Sequence, residues 1–402
     1  MAEALPLAGI KVLDVSTYIA GPAAAVVLGD YGADVIKVEQ PGEGDPNRAM
    51  ATVAAYPKSE INYPWLMDSR NKRSIALDLK HAAGRAALDR LIERTDVLIT
   101  NFPLPVRERL KLRHEDVAGL NARLIYASLT GFGEAGPDRD QAGFDSTAYF
   151  ARSGLSDQLR YDGQPPHFSL PGQGDRATAM ALVAGIMMAL YHRERTGKGT
   201  TVSTSLLANG LWSNGVYAQA ALVGAYLPLR PPRERPRSAL GNLYRTRDER
   251  WLQLSLPLEE AMWPRLCRAI ERPELESDAR FATTPLRRAN ATTLTAILDQ
   301  VFAARASAEW IERLKAHRLT FSPINRIEDV VRDEQAVAAG AIIQSANGEM
   351  PRTIAAPIRL GFATPRPAGV APALGEHTDE ILREAGFSDA EIAQLRSTAA
   401  AA

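Results

Sequence analysis

Asp175 stands in the segment LPGQGDRATAMALVAGIMMALYHRERTGKG, with Gly172 and Gly174 just before it and an almost uncharged helical run just after. An Asp at the head of a helix is a cap, its carboxylate accepting N–H groups of the first turn. The same setting suits a nucleophile. Glycines let a substrate approach the backbone closely, and a helix amino terminus offers N–H groups around Gly174 that stabilise a developing oxyanion. A carboxylate with the ordinary pKa of ~3.9 is ionised at neutral pH and attacks an activated carbonyl without the general base that serine requires. The electrophile must then carry a good leaving group, and the thiolate of a thioester is one. On the residues alone, cap and nucleophile are both open.

Other chemistries lack their residues. Cys267 is the single cysteine, and His81, His114, His167, His192, His317 and His377 show no HxxxH, CxxC or HExxH spacing, so no metal site is expected. There is no GxxxxGK[ST], and the first strand-helix turn reads STYIAGPAA instead of GxGxxG, which disfavours dinucleotide redox chemistry. A G-x-S-x-G nucleophile elbow is also missing. Among 402 residues, 47 Lys plus Arg balance 47 Asp plus Glu, so no general field attracts nucleic acid or an anionic membrane. Any anionic ligand must be held by a few local cations. Candidates are Lys72 and Arg73 at the entrance to a strand, and Arg109, about two helical turns past Asn101 and Phe102. The cluster Arg230, Arg233, Arg235 and Arg237 reads either as a Pro/Arg spacer or as a meeting point for substrate carboxylates.

These residues need elements to carry them. IKVLDVS, ADVIKVE, SIALDL (74–79), DVLIT and RLIYASLTGF read as buried strands separated by helical stretches, and TTVSTSLL begins another strand-helix pair. Such alternation predicts an α/β fold: a Rossmann-like parallel sheet with ligands at the carboxyl ends of its strands. The expected large domain is discontinuous, 1–225 and 357–402, because prolines at 351, 357, 365, 367 and 372 mark an extended return. Between its parts lie a linker (226–238), a small α+β domain (239–335) with a hairpin turning near Asp248, and a return linker (336–356). The longest apolar run, 179–191, is too short for the ~18 to 20 residues of a bilayer span. The start MAEALP lacks the cationic and apolar regions of a secretion signal, and with one cysteine the expected location is a reducing cytoplasm.

Taken in order, PLAGIKVLDVSTYIAGP, GADVIKVEQPGEGDPNR, NKRSIALDL, DVLITNF, LIYASLTGFGEAGP, QAGFD, the Asp175 segment and LGEHTDEIL carry a resemblance. Over nearly its whole length the chain is similar to the class III CoA-transferases, the group of formyl-CoA and carnitine CoA-transferases. The resemblance implies transfer of CoA from an acyl-CoA to a free carboxylic acid, with Asp175 carrying the acyl and CoA groups in turn. Coenzyme A esters and acids are then the substrates, with no tightly bound cofactor. Lys72, Arg73 and Arg109 are expected on the CoA phosphates and Phe102, beside Asn101, near the adenine. Phe132 falls where the formyl-CoA enzymes look to have Tyr, which removes a hydroxyl contact. Ile19 stands where they have Gln, and their tetraglycine loop has no counterpart near SALGN, so a larger, less polar acid suits the chain better. His377 is expected to anchor the tail. Each chain is expected as an open ring threaded by its partner in an interlocked homodimer.

Three alternatives accompany this reading. An α-methylacyl-CoA racemase needs a proton acceptor on each face of the α-carbon, and where such relatives carry His the chain has Phe144, in Gly143-Phe144-Asp145. Intramolecular CoA transfer would use the same residues. A non-catalytic CoA-ester binder would keep the fold alone.

Overall fold

The computed structural model describes residues 5–402. Its apolar runs form β1 (Lys11–Val15), β2 (Asp34–Glu39), β3 (Lys72–Ala76), β4 (Val97–Thr100), β5 (Ile125–Thr130) and β6 (Thr200–Ser205). All pair in parallel, in the order β3-β2-β1-β4-β5-β6. Central strands are covered on both sides, which is why they read as continuous apolar runs; β6, at the edge, alternates instead. The helix Ala20–Asp30 is buried at every position, and its small residues, AGPAAA, let it lie close against the sheet. With the Gln173–Thr196 helix it covers one face, packing Leu28, Leu182 and Ile186 on Val12, Ile99 and Ala127. Leu88 and Ile92 of the Ala82–Ile92 helix and Ile381, Leu382 and Leu395 of the last two helices cover the other.

The strand order reverses between β1 and β4. There the following loops part to opposite faces and leave a crevice at the carboxyl ends of the strands. The residues that enter it are Thr17–Ile19 after β1, Asn101 and Phe102 after β4, and Thr130–Gly131 from β5.

The open edge of β3 is closed by the tail. The His377 N–H donates to the Ser74 carbonyl at 2.9 Å, its Nδ1 accepts the Ser74 N–H at 3.3 Å, and Thr378 Oγ1 accepts the Ala76 N–H at 3.1 Å. Unpaired edge groups are satisfied this way. The strand is shorter than the SIALDL pattern, because beyond Ala76 only Leu77 continues, in a bridge to Ala401.

The chain divides into two compact units. One holds the chain through Asp157 together with His167–Leu227 and Val337–Ala402; the other holds Gln158–Pro166 and Pro228–Ala336. The second is built on an antiparallel sheet of β7 (Leu243–Arg245), β8 (Trp251–Leu254) and β9 (Phe321–Ile324), with helices closing a core of Tyr244, Leu252, Trp263, Phe302 and Trp310. β9 carries no period-2 signal in its FSPI and a proline that argues against a strand, so its pairing is a tertiary result. In that unit Arg233 pairs with Asp299 at 2.8 and 2.9 Å, Arg237 donates to the Pro228 and Leu229 carbonyls, and Arg230 lies 4.8 Å over the Tyr161 ring. The stretch expected as a return linker contains a hairpin, β10 (Ile342–Gln344) with β11 (Arg352–Ile354). Among the described residues, no helix is long and apolar enough to cross a membrane, and no group of three His, Cys, Asp or Glu could hold a metal.

Candidate active site

Asp175 lies in the first turn of the Gln173–Thr196 helix, which the chain enters through Gly172 in the left-handed region, φ 83°. Its carboxylate does not cap that helix: among the described residues no hydrogen bond reaches it. The carboxylate of Asp145 instead faces the N–H groups of Gly172, Gln173 and Gly174, and its Oδ2 is buried without a partner. Two expectations change. The anion opposite the helix start is Asp145, thirty residues upstream, and the N–H groups at Gly172 and Gly174 are turned to it in place of an empty oxyanion site.

Burial raises the pKa of Asp145, those N–H groups only partly opposing it. Burial likewise pushes Asp175 up to about 7, with the charge of Asp145 adding to the effect and Arg176 opposing it. Arg176 is engaged elsewhere, donating to both oxygens of Asp68 at 2.9 and 3.2 Å. The nucleophile candidate is therefore less completely ionised at neutral pH than its ordinary pKa implies. Tyr56, unmarked by any motif, is pushed to about 12 by burial and by the charges of Asp175, Asp145 and Asp68, so it stays a donor beside them.

Asp175 opens onto a cavity of about 140 Å3 that also takes in Tyr18, Ile19, Asn101, Phe102 and Phe144. Asn101 shapes it by clasping the β1 loop: Oδ1 accepts the Thr17 N–H at 2.8 Å and Nδ2 donates to the Thr17 carbonyl at 2.7 Å. Tyr18 is held at φ 64° because its N–H donates to Asp45 at 3.0 Å and its carbonyl accepts from Asn47 at 2.8 Å. Its ring then meets Phe144 edge to face, centroids 5.7 Å apart. Neither Tyr18 nor its two clamps carries a sequence signal. Phe132 is not part of the lining; its ring packs on Gly143, where a Cβ would come within 2.9 Å of it.

Lys72 and Arg73, expected on the CoA phosphates, each have carboxylate partners within the fold. Lys72 is buried, donating to Asp14 at 2.8 Å and to the Pro22 carbonyl at 2.9 Å. Burial and the nearby Lys37 push its pKa down while Asp14 opposes them. Lys37 in turn reaches Asp45 at 2.8 Å and the Ser16 carbonyl, so the buried charges brace the loop that carries Tyr18 and Ile19. Arg73 sits at the amino end of β3, the end away from the cavity, and binds Asp34, Glu380 and Glu384 at 2.6, 2.8 and 2.9 Å. Both cations are neutralised within the fold.

Arg109 stands elsewhere. Phe102 and Pro103, just before the Leu104–Arg109 helix, line the first cavity; Arg109 and Lys111, at its far end, line a second of about 720 Å3. Lys80 and Arg85 enter it from the stretch after β3. Its two carboxylates are taken, Asp89 by Arg85 and Asp116 by Arg113. Lys80, Arg109 and Lys111 have no ion pair among the described residues. Sequence reasoning passed over Lys80 and Lys111, although Lys80 follows the NKRSIALDL landmark directly.

The comparisons agree with this architecture. Residues 7–378 match the family model described as CoA-transferase family III. The (R)-2-hydroxy-4-methylpentanoate CoA-transferase of Clostridioides difficile is 31% identical over 98% of each chain. The cinnamoyl-CoA:phenyllactate CoA-transferase of Clostridium sporogenes is 32% identical over 96% of this chain and 95% of its own. A CAIB/BAIF family protein from Brucella suis superposes with a TM-score of 0.85 at 30% identity, over 95% of this chain and all of that one. Matched along nearly its whole length by that family's model and by these relatives, the chain belongs to CoA-transferase family III and is a CoA-transferase.

Proposed function

We propose that the protein moves CoA from an acyl-CoA thioester to a free carboxylic acid through covalent intermediates on Asp175. A carboxylate oxygen of Asp175 attacks the thioester carbonyl; the C–S bond breaks, giving a mixed anhydride and CoA thiolate. The thiolate attacks the aspartyl carbonyl, releasing the donor acid and leaving CoA as an aspartyl thioester. The acceptor carboxylate attacks that thioester to form a second anhydride, and the thiolate then takes the new acyl group and frees Asp175. The thioester bond is conserved throughout, so neither ATP nor a redox step enters. The observation that carries this reading is a half-buried Asp175 with no internal partner, opening on the crevice where an α/β sheet binds ligands. Phe144 offers no proton acceptor, which keeps racemisation out of the reading.

The acid is inferred to be a mid-sized one with an apolar side chain. Tyr18, Ile19, Phe102 and Phe144 line the cavity, and the relatives named for (R)-2-hydroxy-4-methylpentanoate and for phenyllactate have acids of that kind in their names. The nucleotide end of CoA is assigned to the second cavity, with Arg109 and Lys80 on phosphate oxygens. Charge-assisted contacts of this sort contribute about 1.5 to 3 kcal/mol. Arg109→Ala is therefore expected to weaken CoA-ester binding roughly ten- to a hundredfold and to lower its sensitivity to salt; unchanged calorimetric affinity would return Arg109 to plain surface. A homodimer, interlocked as the resemblance implies, is proposed in the cytoplasm. Its support is the number of large apolar side chains exposed between positions 188 and 226, Met188, Tyr191, Trp212, Val216, Leu222 and Tyr226.

The deciding experiment incubates the protein with a panel of CoA esters and free acids, including 2-hydroxy acids, and follows CoA exchange by chromatography. A productive donor without acceptor should leave an adduct on Asp175 that hydroxylamine traps. Exchange with no such adduct would remove the covalent mechanism.

A further inference from the structure

We propose that Lys111 is a dedicated contact for the 3′-phosphate of CoA and makes the enzyme discriminate CoA from its 3′-dephospho form; this rests on placing the nucleotide in the second cavity. Lys111 follows the Leu104–Arg109 helix at φ 53°. The Lys111 N–H donates to the Glu108 carbonyl at 3.1 Å and the Leu112 N–H to the Arg107 carbonyl at 2.8 Å, the paired bonds of a helix end whose left-handed position ordinarily takes glycine. A residue with a Cβ is disfavoured there. Arg85 holds the turn, donating Nε to the Leu110 carbonyl at 3.1 Å and Nη2 to the Lys111 carbonyl at 2.7 Å.

The side chain so presented enters a cavity with four cations against two carboxylates, both already paired, and it has no ion pair of its own among the described residues. The same left-handed helix end recurs at Glu271, Arg318 and Ala399, so the backbone alone does not single Lys111 out; its place in this cation-rich cavity does. The cavity lies one helix length beyond the residues that adjoin Asp175, and the helix spans ~9 Å at 1.5 Å per residue. With the thioester at Asp175, the part of CoA farthest from the sulfur is the adenosine with its 3′-phosphate, a dianionic monoester that calls for clustered cations.

The test is calorimetric titration of the full-length wild type, Lys111→Gln and Lys111→Gly with CoA and with 3′-dephospho-CoA, alongside thermal unfolding without ligand. The wild type is expected to bind CoA at least tenfold tighter than dephospho-CoA. Lys111→Gln should weaken CoA binding about tenfold and leave dephospho-CoA within twofold. Lys111→Gly should do the same while raising the melting temperature, since it relieves the backbone, so that lost CoA affinity cannot be put down to lost stability. Equal weakening toward both ligands, or none, overturns the assignment of Lys111 while leaving CoA binding itself intact. A wild type that binds neither ligand would overturn the placement of the nucleotide as well.

Discussion

Asp175→Asn is expected to reduce CoA transfer by more than ~10³-fold, the scale on which removing a covalent nucleophile acts, and at the same time to stabilise the folded protein above neutral pH. The second effect follows from burial. The Asp175 carboxyl rises from 3.8 to about 7 in the folded chain, so its ionised form is what folding disfavours. Below about pH 4 the group is protonated in both states and carries no penalty. As the pH climbs from 4 to 7 the unfolded chain releases the proton and the folded chain holds it, and stability is lost at roughly 1.4 kcal/mol per unit, about 4 kcal/mol at most. Asparagine, similar in shape to the protonated acid, has no such dependence. Melting curves of the two proteins should therefore coincide near pH 4 and separate progressively to pH 7, the variant higher. For the wild type, kcat/KM for the donor ester should rise through about pH 7, because attack requires the ionised form. A variant that retains transfer, or parallel melting curves at every pH, would contradict this account of the site.

Gly174→Ala tests the platform under the nucleophile. A Cβ there would fall 2.5 Å from Cγ and 2.7 Å from Cβ of Tyr149. Those are the root atoms of a buried ring whose hydroxyl is tied to Ser213 at 2.6 Å, so the ring cannot swing aside and the helix start has to move. Overpacking of this kind costs about 1 to 3 kcal/mol. A shift of even ~1 Å in Asp175 lowers the rate by about 10²-fold. The expected result is a folded protein, less stable by that amount, with CoA-ester affinity near wild type and kcat reduced roughly a hundredfold. Wild-type kcat would mean that the helix start and Tyr149 are not coupled.

Much of the fold is written in local patterns. Apolar runs of strand length alternating with helical stretches determine a parallel sheet covered on both faces, because strands such as Ile125–Thr130 and helices such as Ala82–Ile92 have no other way to bury their apolar surfaces. The position of Asp175 at a helix start after two glycines is likewise a local feature, as is the loop that sets Ile19 just past β1. The FSPI strand and the hairpin at 342–354 lack such patterning, and they form because partners distant in the chain supply the missing hydrogen bonds.

The electrostatics of the site belong to tertiary structure. Lys72, Arg73, Lys80, Arg109 and Lys111 are interchangeable as letters, yet the first two are neutralised by Asp14, Asp34, Glu380 and Glu384, and the last three share a cavity without a partner. Which charges cancel depends on through-space distances between residues more than three hundred positions apart. The same holds for Asp175. Its helix start could have made it a cap of ordinary acidity; the approach of Asp145 to that helix start and the burial around the pair leave it without hydrogen bonds and raise its pKa to about 7. Desolvation and like-charge repulsion arise only when the chain brings those groups together and excludes water from them, so no reading of the sequence alone reaches them.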